Sequence, residues 1–177
     1  MFAHEIDNEL RLVLLQPSMA ERLYQLVDAN RDHLKEWMPW VESTRSAEDT
    51  KAFIRHANRR FADGESLTCG IEYHGELAGV ISFNDIHEKL GKVVIGYWIA
   101  EDRQGLGIVT RCCRSLMEYA FNEMNMQKVE IRAAADNTRS RAVCERLGLK
   151  LEGIISNAEA VNGRIVDHAV YGIHKEG

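Results

Sequence analysis

The spacing of apolar residues divides the first 64 residues into one strand and three helices. Arg11 to Leu15 is a short apolar run, which predicts the strand. Pro39 and Gly64 end the second and third helices, and Ser46 followed by Asp49 predicts a capping box that starts the third. The apolar residues that recur at helical spacing are Met19, Leu23, Leu26 and Val27 in the first helix, Leu34, Trp37 and Met38 in the second, and Phe53, Ile54, Ala57 and Phe61 in the third.

The next part of the chain changes to a strand pattern. Leu67 to Tyr73 and Leu77 to Phe83 flank the turn dipeptide His74-Gly75, which predicts an antiparallel hairpin. Val93 to Ile99 is a nearly unbroken apolar run, typical of a central strand that is covered on both faces. This part of the chain therefore supplies three strands.

The last third mixes helices and strands. Its predicted elements are a helix with Val109, Cys113, Leu116 and Ala120 on one face, a strand from Val129 to Ala134, a helix from Asn137 to Leu147 that Gly148 ends, and two strands, Leu149 to Ile155 and Ile165 to Ile173, around an Asn162-Gly163 turn. The whole order predicts an α/β or α+β sandwich with helices packed on a mixed sheet. No linker, repeat or low-complexity stretch interrupts it, so we expect a single domain over residues 1–177.

Composition and charge exclude several classes of protein. The 177 residues are 45% hydrophobic and carry a formal net charge of -5, which argues against a generally basic nucleic-acid binder. The four cysteines and seven histidines lack the spacing of a disulfide framework or a metal site. The longest apolar run, Val93 to Ala100, is far shorter than the ~20 residues of a membrane span, and the acidic N-terminus has no signal-peptide pattern. We therefore expect a cytoplasmic protein without a metal or a membrane segment.

The stretch from Tyr97 to Arg111 is the most informative for function. A buried strand is followed by a loop with Gly105 and Gly107, and then by a helix. Free backbone N–H groups at such a helix start favour a phosphate ligand, although the same glycines also suit a tight strand-to-helix turn without a ligand. The dinucleotide-binding interpretation is weaker, because Thr110 stands at the third glycine position of G-x-G-x-x-G. The P-loop interpretation fails, because no Gly-Lys-Ser/Thr follows at the right spacing.

Four motifs resemble one family. Gln104 to Ile108 looks like the Q/R-x-x-G-x-G/A signature of the GNAT superfamily of N-acetyltransferases, which bind acetyl-CoA. Asn137 to Val143, followed by Leu147-Gly148, resembles the second motif of that superfamily. Leu34 to Trp40 and Ala158 to Gly163 are similar to one branch, the Rim-type ribosomal-protein N-terminal acetyltransferases. The resemblance implies a GNAT-like sandwich: a mixed, mostly antiparallel central sheet of about six to seven strands with helices on both faces.

The resemblance also implies how the cofactor is held. Backbone N–H groups from Gln104 to Thr110 bind the CoA pyrophosphate, the edge of the Tyr97 to Ile99 strand pairs with the pantetheine arm, and Asn137 hydrogen-bonds the cofactor nearby. Val109 stands where the general signature has Gly or Ala, but its N–H donor remains. The implied cofactor-binding residues are Tyr97, Trp98, Ile99, Gln104, Gly105, Leu106, Gly107, Ile108, Val109, Thr110 and Asn137.

Acetyl transfer to an amine requires a base and a donor to the departing thiolate. Glu159 is the candidate base, because the Rim-type branch has a glutamate in the matching A-E-x-x-N-G stretch; the alternative is a solvated glutamate. Ser140 is the candidate donor, since that branch also has Ser there, and the alternative is a first-turn residue that bonds the backbone. Many superfamily members carry a Tyr acid where Cys144 stands. Cys144 is either a small core residue or the carrier of an acetyl group, but no nucleophile–base pair is evident, so direct transfer in a ternary complex is favoured.

The leading hypothesis is an acetyl-CoA-dependent N-acetyltransferase acting on a protein α-amine of Rim type. An α-amine with a pKa of ~7.7–8.0 is roughly 10–20% neutral at pH 7, whereas a lysine amine is only about 0.04% neutral. The alternatives are a small-molecule amine acceptor, such as a polyamine or aminoglycoside, and a non-catalytic acyl-CoA-binding sensor. Trp37 and Trp40 either line an acceptor groove or pack between helices. A homodimer is the oligomeric state that this branch suggests.

Overall fold

The structure, a computed structural model, describes residues 2–177. These residues contain eight strands and five α-helices, joined by loops and short 3-10 turns. The strands are β1 (Ala3–Glu5), β2 (Leu10–Leu14), β3 (Leu67–Tyr73), β4 (Glu76–His87), β5 (Lys92–Ile99), β6 (Lys128–Ala134), β7 (Lys150–Val161) and β8 (Arg164–His174). The helices are α1 (Ala20–Ala29), α2 (Arg31–Leu34), α3 (Ala47–Ala62), α4 (Ile108–Asn122) and α5 (Thr138–Arg146). No helix among these residues is both long and apolar enough to cross a membrane.

All strands join one mixed sheet in the order β1-β2-β3-β4-β5-β6-β8-β7. Neighbouring strands are antiparallel except β5 and β6, which are parallel. The sheet has one strand more than the six to seven predicted. The additional strand is β1, whose three exposed residues show no alternation of apolar and polar positions that would predict a strand. The mixed, mostly antiparallel sandwich expected from the sequence is confirmed.

The two faces of the sheet build separate cores. Leu10 and Leu12 of β2 point to the face that packs against α4 and α5, whereas Val13 points to the opposite face, against α1 and α3. This alternation is the two-residue period of a strand. It confirms that helices cover both faces.

The start of α3 agrees with half of the predicted capping box: the Asp49 carboxylate accepts a hydrogen bond from the N–H of Arg45 and not from that of Ser46. Ser46 is the N-cap, and its hydroxyl accepts a hydrogen bond from the N–H of Asp49. Ile54 is fully buried, but Phe53 and Phe61 are 47% and 46% exposed. The helical spacing groups both phenylalanines with Ile54, but neither is buried with it. Phe53 faces an open cavity beside the sheet, and Phe61 lies in the last turn of the helix.

The second predicted helix is also shorter than its apolar pattern. The α2 helix ends at Leu34, so Trp37 and Met38 lie in the turn that follows. Pro39 disfavours a helical conformation for the residue before it, which explains why the pattern does not continue as a helix.

The parallel pair β5–β6 comes apart halfway along. Their pairing runs from Lys92–Lys128 to Ile95–Ile131 and stops there. Beyond Ile95, β5 stays paired with β4 and β6 stays paired with β8, so the two strands diverge and the sheet opens between them. The apolar run predicted to be covered on both faces is buried on one face only, because its other face borders the opening.

Candidate functional site

The separation of β5 from β6 creates two adjoining cavities. The loop cavity, of about 900 Å³, is lined by the 104–110 loop and the first turns of α4 and α5. The α3 cavity, of about 940 Å³, is lined by α3, β4, β5 and residues of β6, β7 and β8. The residues that line both cavities are Trp37, Met38, Tyr97, Trp98, Asn137 and Ser140. The cavities therefore meet where β5 ends and α5 begins.

The loop before α4 leaves backbone donors free at the helix start. Gly105 and Gly107 have φ angles of +75° and +72°, which L side chains rarely adopt, and a Cβ on either would meet no atom within 4 Å. Gly107 caps α4 without a side-chain hydrogen bond, and Arg111 makes the first backbone hydrogen bond to its carbonyl. The N–H groups from Ile108 to Thr110 therefore have no partner within the helix, and this end of α4 suits an anionic group.

All eleven residues that the resemblance assigns to the cofactor line the loop cavity: Tyr97, Trp98, Ile99, the seven from Gln104 to Thr110, and Asn137. The side chain of Gln104 is engaged within the protein. Its Nε2 lies 3.1 Å from Nε2 of His33, and its Oε1 accepts a hydrogen bond from Arg139. The Gln104 side chain therefore ties the loop to α2 and α5.

Ser140 lies in the first turn of α5 at the junction of the two cavities. Its N–H donates to the Asn137 side chain, 3.1 Å away, so Asn137 is the N-cap that fixes this turn. The Ser140 Oγ lies 2.7 Å from the hydroxyl oxygen of Tyr97, which reaches across from β5. Burial raises the pKa of Tyr97, so its hydroxyl stays neutral. Sequence reasoning considered only the strand edge of Tyr97 and missed this hydroxyl pair, because no spacing along the chain links residues 97 and 140.

Glu159 reaches the α3 cavity because of a bulge in β7. Three residues of β7, 156–158, lie opposite a single residue of β8, Asp167. Glu159 therefore pairs with Val166, whereas an unbroken ladder from Ile155 would pair it with Arg164, two residues away. That displacement is about 7 Å along the strand. Asn157 within the bulge has a φ of +48°, and its N–H donates to the Asp167 carboxylate at 2.9 Å. The bulge, rather than the turn after it, sets where the Glu159 carboxylate lies.

His168 is the nearest ionisable partner of Glu159. Its Nε2 lies 3.7 Å from Glu159 Oε1, and both residues line the α3 cavity. Lys92 and Arg132 line the same cavity, but the buried carboxylate of Glu130 holds them at 3.0 and 2.8 Å. Within residues 2–177, no lysine or arginine lies within 4.0 Å of the Glu159 carboxylate. No spacing along the chain points to His168, because sheet pairing alone brings it near Glu159.

Cys144 is a core residue in this structure. It is fully buried, lines neither cavity, and burial raises the pKa of its thiol to about 12. The geometry therefore argues against Cys144 as the carrier of an acetyl group, since thiolate is the nucleophilic form.

The aromatic residues around Pro39 divide between the two predicted roles. Trp37 lines both cavities, whereas Trp40 packs against Trp98, with ring centroids 5.9 Å apart, and lines the α3 cavity. Both tryptophans thus border the opening, and Trp40 also packs between elements. Within residues 2–177, no group of three or more His, Cys, Asp or Glu side chains could hold a metal ion.

Comparison with known proteins gives a family for this arrangement. The family model described as "Acetyltransferase (GNAT) domain" matches residues 9–150. YdaF of Bacillus subtilis (strain 168), provisionally named a ribosomal N-acetyltransferase, is 37% identical over 176 residues, which are 99% of this chain and 96% of that protein. The ribosomal-protein-serine acetyltransferase of Escherichia coli (strain K12) is 31% identical over 168 residues, 94% of this chain and 93% of that protein.

A solved structure of similar fold contains coenzyme A. RimL, a ribosomal L7/L12 alpha-N-protein acetyltransferase in complex with coenzyme A, has a TM-score of 0.94 to this chain at 29% identity, over 98% of each chain. The similarity covers both halves of the opened sheet. It therefore includes the loop before α4 and the strands that carry Glu159 and His168.

Thiol labelling tests the placement of the cysteines. All four are buried, and burial raises the pKa of Cys69, Cys112 and Cys144 to about 12 and that of Cys113 in the same direction. We expect iodoacetamide at pH 8 to leave the folded protein unlabelled and to label every thiol after unfolding in guanidinium. Mass spectrometry gives the count. Rapid labelling of Cys144 in the folded protein, with loss of activity, would contradict its assignment as a core residue.

Proposed function

The chain belongs to the GNAT acetyltransferase family, and we propose that it transfers the acetyl group of acetyl-CoA to the N-terminal α-amine of a ribosomal protein. The observation that carries this proposal is the meeting of the two cavities at Ser140, with a free helix start on one side and Glu159 on the other. Relatives named for ribosomal-protein acetylation match nearly the full chain, which supports the choice of acceptor. The cytoplasm, where ribosomes assemble, is the compartment that follows from such an acceptor.

We assign the loop cavity to acetyl-CoA. The N–H groups at the start of α4 suit its pyrophosphate. Beyond Ile95, the edge of β5 pairs with no strand on the β6 side, so its backbone groups suit the amides of the pantetheine arm. Arg139 and Arg146 line the same cavity and add positive charge for the phosphates. This ligand therefore fits both the shape and the donors of the loop cavity.

The α3 cavity is the acceptor site, with Glu159 as the base. Three lysine or arginine side chains line that cavity, and all are paired elsewhere: Lys92 and Arg132 with Glu130, and Arg60 with Glu65 and Asp85. They therefore do not compete for the Glu159 carboxylate. His168 Nε2 lies 3.7 Å from the Glu159 carboxylate at the cavity wall. An α-amine is roughly 10–20% neutral at pH 7, so a carboxylate acting directly or through one water is sufficient.

Ser140 completes the reaction at the junction. Glu159, directly or through a water, accepts a proton from the ammonium form of the acceptor. The neutral nitrogen forms a bond to the acetyl carbon and loses one further proton to solvent, and the carbon–sulfur bond breaks with its electron pair going to sulfur. Ser140 donates a hydrogen bond to that sulfur. Burial of Cys144 leaves no accessible thiol at the second-motif position, so the transfer is direct, in a ternary complex.

An acceptor panel tests the proposed function. We expect thiol release from acetyl-CoA with peptides that have a free N-terminal serine or alanine and lack lysine. The matched control is each peptide with its N-terminus already acetylated, which should give no release. Turnover only with a polyamine or an aminoglycoside would place the chain among small-molecule acetyltransferases. Tight binding of acetyl-CoA without turnover on any acceptor would favour a sensor module.

Glu159→Gln tests the base. We expect the rate at saturating acetyl-CoA to fall roughly tenfold to a hundredfold at pH 7, because a general base contributes up to about 10²–10⁴-fold. The loss should shrink as the pH rises through the α-amine pKa of ~7.7–8.0, since the acceptor is then already neutral. Glu152→Gln on the same strand lines neither cavity and serves as the control. A profile identical to that of the wild type would remove Glu159 from the mechanism.

We also propose a homodimer formed through β7. This strand is the last of the sheet on its side, so one backbone edge has no strand partner. Leu151, Ile154 and Ile155 of β7 are 46%, 50% and 43% exposed, and such an apolar edge is ready to pair with a second strand. We expect light scattering to give twice the chain mass, and Ile154→Lys to give the single-chain mass. A wild-type monomer at micromolar concentration would contradict this assembly.

A further inference from the structure

The hydroxyls of Tyr97 and Ser140 form a pair that the cofactor-binding role of the β5 edge does not explain. They come from opposite sides of the opening, one from the end of β5 and one from the start of α5, and their oxygens are 2.7 Å apart. A binding role for the strand edge uses the backbone of Tyr97 and would be the same for a phenylalanine. The hydroxyl therefore needs an explanation of its own.

The 2.7 Å distance allows either hydroxyl of the pair to donate, and the Tyr97 oxygen also lies 3.5 Å from the Ser140 carbonyl oxygen. A serine hydroxyl has one hydrogen to donate and two lone pairs to accept. If Tyr97 donates to Ser140 Oγ, the serine proton is left for a third group. The Ser140 N–H is already held by Asn137, so the backbone of this turn is fixed and the hydroxyl is aimed by its partner. Burial raises the pKa of Tyr97, so the phenol keeps its proton throughout the working range.

We propose that Tyr97 is the positioning residue of Ser140: its hydroxyl donates to Ser140 Oγ and thereby directs the Ser140 proton at the sulfur of coenzyme A. This inference rests on the assignment of Ser140 to the sulfur. A serine hydroxyl is a far weaker acid than a thiol, so Ser140 stabilises the thiolate by a hydrogen bond rather than by giving up its proton. The proton that ends on the thiol is the one that Glu159 removes from the amine, returned through solvent.

The titration of bound coenzyme A tests the pair without any acceptor. The ultraviolet absorbance of the thiolate reports the pKa of the CoA thiol in the complex. We expect that pKa to lie below that of free coenzyme A titrated in the same buffer, and to rise by roughly one pH unit in Tyr97→Phe and in Ser140→Ala. The double variant should show no further rise, because both substitutions remove the same hydrogen bond. The cysteines of the protein do not interfere, since burial raises the pKa of each of their thiols.

Kinetics with an acceptor from the panel gives a second readout. Tyr97→Phe should lower kcat roughly fivefold to tenfold, as expected for one lost hydrogen bond. It should leave the Kd of coenzyme A nearly unchanged at about pH 6, where the bound thiol is protonated with or without that hydrogen bond. It should have no effect in the Ser140→Ala background. The control is Tyr119→Phe on α4, whose side chain is exposed and lines neither cavity. Thermal unfolding of each variant confirms that it is folded.

The outcomes separate this inference from the proposed function. A wild-type thiol pKa in Tyr97→Phe with a raised pKa in Ser140→Ala overturns the role of Tyr97 and leaves that of Ser140. Equal losses of kcat from Tyr97→Phe in both backgrounds also overturn it. An unchanged thiol pKa in Ser140→Ala removes both residues from the sulfur. Failure of coenzyme A to bind overturns the proposed function as well as the pair.

Discussion

The site depends on the loss of pairing between two parallel strands. After Ile95 and Ile131, β5 and β6 keep their antiparallel partners but leave each other, so each has a free backbone edge inside the molecule. Such groups need a partner, and a ligand that carries amides can supply it. The helices that follow these strands, α4 and α5, begin at the same opening, which puts two helix N-termini beside it. One topological feature thus provides both cavities.

The charged side chains around the opening differ in whether another charged side chain already pairs with them. Glu130 is almost fully buried and holds both Lys92 and Arg132, and these hydrogen bonds outweigh its desolvation and lower its pKa. Lys92 and Arg132 are therefore tied to the sheet, and Arg60, which also lines the α3 cavity, is paired with Glu65 and Asp85. Within residues 2–177, His168 is the one basic side chain within 4.0 Å of the Glu159 carboxylate. The net charge of -5 does not predict which charged side chains are paired, because the pairing depends on which groups lie together in the folded chain.

The fold was largely predictable, and the failures have local causes. Continuous apolar patterns and turn dipeptides located every long strand and helix, since these signals act between residues close in sequence. Phe53 is exposed although its spacing groups it with Ile54, because periodicity cannot distinguish packing against a sheet from facing a cavity. The short β1 strand is fully exposed and carries no pattern at all. The nearly unbroken apolar run of β5 predicts a strand with both faces covered by other elements, although one of its faces borders the α3 cavity.

For the site, the sequence by itself determined the parts that are contiguous in the chain. The glycine loop before α4 and the Asn137 cap of α5 are local backbone signals, so they can be read from short stretches of sequence. Only the tertiary structure decided the pairs, Tyr97 with Ser140 and Glu159 with His168. The first pair spans the opening between two diverging strands, and the second depends on a bulge that moves one residue two positions along its neighbour. Distances of this kind arise from strand register and helix packing, which single residues do not encode.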